Sequence, residues 1–190
     1  MKTIKDNIKN ELVIKNSKFI TLLLKIDSSN IKDILEEIKK EYPKATHYCY
    51  AYIYNEIKHS SDDNEPTGTA GLPMLNVLEH ENLNKILCIV IRYFGGIKLG
   101  AGGLIRAYTK SVTEVLKEAN FLDLEKGYKI NIEFSYNLEK QVNYLLKDYK
   151  IIDKKFDKTI SYLVEIPENF LNKLYNYNYQ IIEEIYIKKN

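Results

Sequence analysis

Apolar and polar positions along the 190-residue chain change period several times, and each change marks an expected element. Residues 11–14 and 18–26 read as two strand segments bent at Asn16-Ser17, which supply turn chemistry. Asp27, Ser28, Ser29 and Asn30 form a capping cluster. Ile31, Ile34, Leu35 and Ile38 follow at the i, i+3, i+4, i+7 spacing of one buried helical face, which Pro43 ends. Residues 45–54 alternate as a strand, with Tyr48, Tyr50, Tyr52 and Tyr54 on one face and Cys49, Ala51 and Ile53 on the other. Residues 55–71 read as a polar loop, and 72–78 as a short helix with Pro73 in its first turn. Residues 85–93, KILCIVIRY, have the near-continuous β-branched pattern of a central strand buried on both faces. A helix follows over about 102–119, with Leu104, Ala107, Tyr108, Ser111, Val112, Val115 and Leu116 as its inward stripe.

Residues 120–127 read as a linker, because the chain changes character beyond them. Cysteine, histidine and glycine disappear, and Pro167 is the one proline left. The pattern then predicts a strand at 128–136, a helix at 138–149, a hairpin from 151–156 and 158–166, a helix at 167–175 and a strand at 180–188. That order, β-α-β-β-α-β, is the ferredoxin-like arrangement. The expected architecture is α+β, with an N-terminal domain over 1–124 and a small ferredoxin-like domain over 125–190.

Charge narrows the function classes. The formal net charge is only +2, so affinity for nucleic acid has to come from a local patch. Cys49 and Cys88 lie in apolar runs without CxxC spacing and read as buried thiols. The first 15 residues lack a signal-peptide apolar core, and no apolar run reaches membrane-spanning length, so the expectation is a cytoplasmic protein with no membrane association. Nothing in the pattern points to a cofactor.

The candidate chemistry is concentrated between Asp62 and Tyr108. Seven of the eight glycines lie there (Gly68, Gly71, Gly95, Gly96, Gly100, Gly102 and Gly103), as do both arginines, Arg92 and Arg106. The glycine-rich turn joins a buried strand to a helix, where backbone amides and the helix dipole favour an anion. Arg92, Lys98 and Arg106 could assist it. The same glycines could instead let two backbones pack closely, and the two readings are compatible. The turn matches neither a phosphate-binding Walker loop nor a dinucleotide fingerprint. The arginines suit phosphate recognition, or equally a salt bridge to Asp62, Asp63 or Glu65 that pins the loop. Arg106 in particular is expected to face residues 62–71 or the glycine turn. The carboxylates could hold a hard cation, although their spacing is not that of a calcium loop, and no metal is assigned. His47, His59 and His80 are possible bases. A Cys49–His47 dyad is cramped but geometrically possible, and no nucleophile elbow is present. His47, Asp62, Asp63, Glu65, Gly68, Thr69 and Gly71 make up the loop-shaping, polar part of the candidate site.

Together, DDNEPTGTAGLPML and IVIRYFGGIKLGAGGLIRAY resemble the signature of the IMPACT family, also called the YigZ family, with the ATHYCYAYI strand and His47 in the expected place before them. The resemblance is strong over residues 12–120 and more diffuse beyond. It implies an N-terminal domain with ribosomal-protein-like β-α-β layering and a second domain similar to the last domain of elongation factor G. It also implies a cytoplasmic setting. A eukaryotic relative tempers a translation-initiation kinase pathway, but it carries an extra N-terminal domain, so that role is not transferred. The family pattern has glycine where Asn64 stands, a polar or basic residue where Leu72 stands and arginine near Ile53; Asn64 tolerates the same left-handed backbone. The leading expectation is a non-enzymatic translation-associated protein that contacts RNA or a ribosome-associated partner, with the tyrosine strand either stacking bases or forming an aromatic core layer. The alternative is an enzyme on a phosphorylated or nucleotide substrate. The pattern leaves the oligomeric state open.

Overall fold

The computed structural model describes residues 1–189, and the chain divides into two compact units, Met1–Leu122 and a second that begins at Asp123. The architecture is mixed α+β. Among the described residues, no helix is long and apolar enough to cross a membrane.

The first unit contains strands β1 (Lys2–Ile4), β2 (Ile8–Ile14), β3 (Ser17–Lys25), β4 (His47–Tyr54), β5 (Ile57–Ser61) and β6 (Ile86–Tyr93), and helices α1 (Lys32–Glu41), α2 (Gly71–His80) and α3 (Ala101–Lys117). Strands β2 to β6 form one antiparallel sheet in the order β2-β3-β6-β4-β5. The central β6 explains its own sequence: Ile86, Cys88 and Val90 face the core under α2 and α3, while Leu87, Ile89 and Ile91 face the layer under α1. Burying a single such side chain is worth about 1.5–3 kcal/mol. The inward stripe expected for α3 is the set of residues that is buried there. The tyrosines of β4 pack half-buried against the α1 layer, and the Tyr48 hydroxyl donates to the Tyr42 carbonyl at 2.6 Å.

Two expectations need correction in this unit. Residues 55–71 are not all loop, because β5 pairs with β4 across the two-residue turn Asn55-Glu56, with Asn55 at a φ of 52°. The segment IKHSS carries too little apolar alternation to announce a strand. Residues 120–127 are not a linker: β7 (Phe121–Phe134) begins inside them and runs on without a break.

The second unit continues from β7 through a 3₁₀ turn (Tyr136–Leu138), α4 (Glu139–Leu145), β8 (Lys150–Phe156), β9 (Ile160–Pro167), a 3₁₀ helix (Glu168–Lys173) and β10 (Asn178–Lys188). Its antiparallel sheet has the order β10-β7-β9-β8. Val142, Leu146, Phe170 and Leu174 pack on one face of that sheet, against Ile130, Ile132, Tyr162 and Val164. Both helical segments are shorter than the apolar spacing implied, and the second is 3₁₀. Pro167 ends β9 in extended backbone instead of opening an α-helix.

Candidate functional site

Arg92 ends β6, and the register sets it opposite Phe19 of β3 on one side and His47 of β4 on the other. Residues paired across a sheet share a face, so all three project toward α2 and α3. The guanidinium is buried. Its Nη1 donates to Glu65 Oε1 at 2.6 Å, its Nη2 donates to Ser17 Oγ at 3.3 Å, and its carbon lies 5.4 Å from the Phe19 ring centroid and 5.6 Å from that of Phe94. The Tyr108 hydroxyl, from the inward stripe of α3, donates to the same Glu65 oxygen at 2.8 Å. One carboxylate therefore ties β6, the loop before α2 and helix α3 together.

The neighbouring acids do different work. Asp62 Oδ1 accepts the Ala70 and Gly71 N–H groups at 2.9 and 2.8 Å, and Oδ2 accepts Gly68 N–H at 2.8 Å, so this side chain satisfies the start of α2. Asp63 Oδ2 accepts the Tyr48 N–H at 2.6 Å, and its carbonyl lies 2.8 Å from His47 Nδ1. A carbonyl can only accept, so Nδ1 carries a proton. Asn64 takes the left-handed backbone expected of it, with φ 66°. Thr69 is buried and donates to the Pro66 carbonyl at 2.6 Å. Among the described residues, no group of three or more His, Cys, Asp or Glu is arranged to hold a metal ion.

Cys49 shares the inner face of β4, with its Sγ 3.0 Å from the Asp62 carbonyl and 3.3 Å from Tyr108 Oη. Burial holds its thiol far above the ordinary range, which is the wrong direction for a nucleophile. Cys88, fully buried, is raised for the same reason. Burial also raises the Tyr108 phenol, and the Cys49 and Glu65 charges add to the shift.

The glycine turn divides between the two readings. A Cβ on Gly95 would lie 2.0 Å from the Asn16 carbonyl carbon, so two backbones touch there and this glycine serves packing. Gly100 is the residue preceding α3, at φ 71°, and no side chain caps the helix. The first internal hydrogen bond of α3 runs from Leu104 N–H to the Gly100 carbonyl. The N–H groups of Ala101, Gly102 and Gly103 precede it, and Ala101 and Gly102 are exposed. Gly96 is exposed too, at φ 83°. A cleft of about 460 Å³ opens at this helix start. It is lined by Thr46, His47, Glu65, Arg92, Phe94, Lys98, Gly100 and Ala101, among others. Leu99 forms part of its wall and part of the wall of a second groove of about 200 Å³, which Lys15, Arg106 and Lys110 also line.

Of the two readings open for Arg92, the structure has the salt bridge, to Glu65, with Ser17 on the other Nη and a buried Nε that has no hydrogen-bond partner among the described residues. Arg106 does not pin residues 62–71. It is exposed and makes no hydrogen bond or ion pair among the described residues, but it does face the glycine turn, its Nη1 3.5 Å from where a Cβ on Gly102 would stand. The pinning falls to Arg92 alone. Tyr108, which spacing places on the inward stripe of α3, Ser17, which reads as a turn residue, and Phe94 belong to the site, although the sequence assigns none of them a role there. Tyr108 carried one usable signal, since a phenol on an inward stripe needs a buried partner.

The Impact N-terminal domain model matches residues 15–116. The chain is 39% identical over 176 residues to the IMPACT family member YvyE of Bacillus subtilis, covering 74% of this chain and 81% of that relative. It is 34% identical over 162 residues to the family member YigZ of Escherichia coli, covering 81% and 79%. The crystal structure of a hypothetical protein superposes with a TM-score of 0.75 at 30% identity, covering 96% of this chain and 97% of that one. The strand β4, the Asp62–Gly71 loop and the glycine turn that build the cleft all fall within the matched domain, and the chain belongs to the IMPACT family.

Proposed function

We propose that this protein is a non-enzymatic, translation-associated module of the cytoplasm that contacts RNA through the start of α3. One observation carries the reading. Lys98 in the cleft and Lys15, Arg106 and Lys110 in the adjoining groove are exposed cations, and none forms an ion pair among the described residues. Lys98 stands beside the uncapped start of a 17-residue helix, where the dipole adds to its field, and Arg106 and Lys110 follow one turn apart along that helix. A track of unpaired positive charge beside bare amides suits successive phosphates, and the half-exposed Phe94 ring at its rim suits a stacked base.

Other features support binding over turnover. Asp62 and Asp63 are engaged by backbone donors, and burial holds the Cys49 thiol protonated, so these three do not supply a free acid pair or a nucleophile. The order β10-β7-β9-β8 around two helical segments supports a ferredoxin-like second domain. The layering of α1, sheet and α2/α3 supports a ribosomal-protein-like first domain. Both suit a protein that works beside the translation machinery.

The test is titration of an eight-nucleotide RNA at two salt concentrations, against the wild type and the Lys98→Glu and Arg106→Ala variants. Wild-type affinity should fall steeply with salt, and each variant should flatten the log–log slope by about 1. Absent or salt-insensitive binding in the wild type refutes the reading.

A further inference from the structure

The cleft pairs unused donors on one wall with unused acceptors on its floor, and this mismatch specifies a ligand. The donors are the N–H group of Ala101 at the start of α3 and Lys98 beside it, with the Gly102 and Gly103 amides next along the helix. The acceptors are Glu65 Oε2 and His47 Nε2. Glu65 is 8% exposed, and its Oε1 takes both the Arg92 and Tyr108 hydrogen bonds. Among the described residues its Oε2 receives no hydrogen bond, and it lies 3.8 Å from His47 Nε2. The Asp63 carbonyl requires the proton on His47 Nδ1, so in the neutral ring Nε2 presents a lone pair. With the ring neutral, these are two acceptors 3.8 Å apart that cannot satisfy each other. Both residues line the cleft, and a pair of adjacent hydroxyls can donate to both atoms at once.

Resting on the RNA-contact reading, we infer that the cleft selects a ribonucleotide: phosphate on the α3 amides and Lys98, base against Phe94, and sugar hydroxyls donating to Glu65 Oε2 and His47 Nε2. Deoxyribose lacks the 2′ donor, so DNA leaves one acceptor empty. A site built to accept from a hydroxyl discriminates strongly against the analogue without it. The Gly102 position fits this arrangement. A Cβ there would meet only Arg106 Nη1, at 3.5 Å, so intramolecular packing gives no reason for a glycine in the first turn of a helix. An approaching phosphate does.

The experiment compares an oligoriboadenylate with the deoxy oligomer of the same length and terminal groups, on the full chain at one salt concentration. The ribo oligomer should bind at least about tenfold more tightly, from one hydrogen bond to a charged or ring acceptor. His47→Phe, with its melting temperature measured alongside, should cut that ratio while keeping the salt dependence. Equal binding of both oligomers to the wild type overturns the inference and leaves RNA contact standing. Binding of neither overturns both. A ratio unchanged in a folded His47→Phe protein overturns the role of the floor acceptors.

Discussion

Replacing Arg92 by alanine tests the buried network most directly. The Arg92 side chain is 5% exposed and that of Glu65 3%, with 2.6 Å between Nη1 and Oε1. After Arg92→Ala, the Glu65 carboxylate keeps the Tyr108 hydroxyl and loses the charge that compensates it. Breaking a buried pair from one side costs about 3–5 kcal/mol, against about 0–1 kcal/mol for an exposed pair. The space left between the Phe19 and Phe94 rings adds to the loss. The chain has two units, so a single global melting curve can mix two transitions. Hydrogen exchange of the slowest β6 amides reports on the first unit alone. Exchange there should accelerate by at least about 100-fold, which is the kinetic face of a loss near 3 kcal/mol. Arg92→Leu combined with Glu65→Leu should recover most of it, since replacing both partners with apolar groups removes the unpaired charge. An Arg92→Ala loss below about 1 kcal/mol would show that solvent reaches the pair and would refute the reasoning.

Gly95→Ala should cost about 1–3 kcal/mol in denaturant titration, because its Cβ would meet the Asn16 backbone, whereas Gly102→Ala should be neutral or stabilising in the absence of ligand. Equal effects at the two positions would refute the assignment of Gly95 to packing. Stability should also fall with rising pH from about 8.5 upward. The Cys49, Cys88 and Tyr108 groups are raised in the fold, so the unfolded chain ionises first and gains from each lost proton. Chemical denaturation at pH 7 and pH 10 measures this, and a flat profile contradicts it.

What the sequence made legible is what period alone encodes. The stripe of α3 and the doubly buried β6 follow from repeats of 3.6 residues and from a continuous β-branched run. The choice of partner for the arginine was not encoded in this way. Asp62, Asp63 and Glu65 are equivalent as letters, and the loop separates them by giving the first two to backbone donors. Nor does composition distinguish Arg92 from Arg106. The β6 register buries one opposite His47, while helical phase sends the other to solvent. Strand β5 is not legible because IKHSS has little apolar content to alternate. The start of β7 is not legible because a change in composition does not require a break in the backbone.

The buried cluster is better understood as a positioning device than as a source of stability. A buried ion pair with its hydrogen bonds is generally no more stabilising than apolar side chains of the same volume. What Glu65 does that a leucine could not is receive directed bonds from β6 and α3 while its own loop is held to β4 and α2 by Asp63 and Asp62. Those contacts fix the first turn of α3 relative to His47. They also create a contrast between two helix starts. At the α2 start Asp62 already takes the Ala70 and Gly71 amides. At the α3 start Gly100 contributes no side chain, and a serine or aspartate there would have closed it in the same way. A fixed floor beneath an open helix end is the geometry of a preorganised binding site, in which little ordering remains to be done when the ligand arrives.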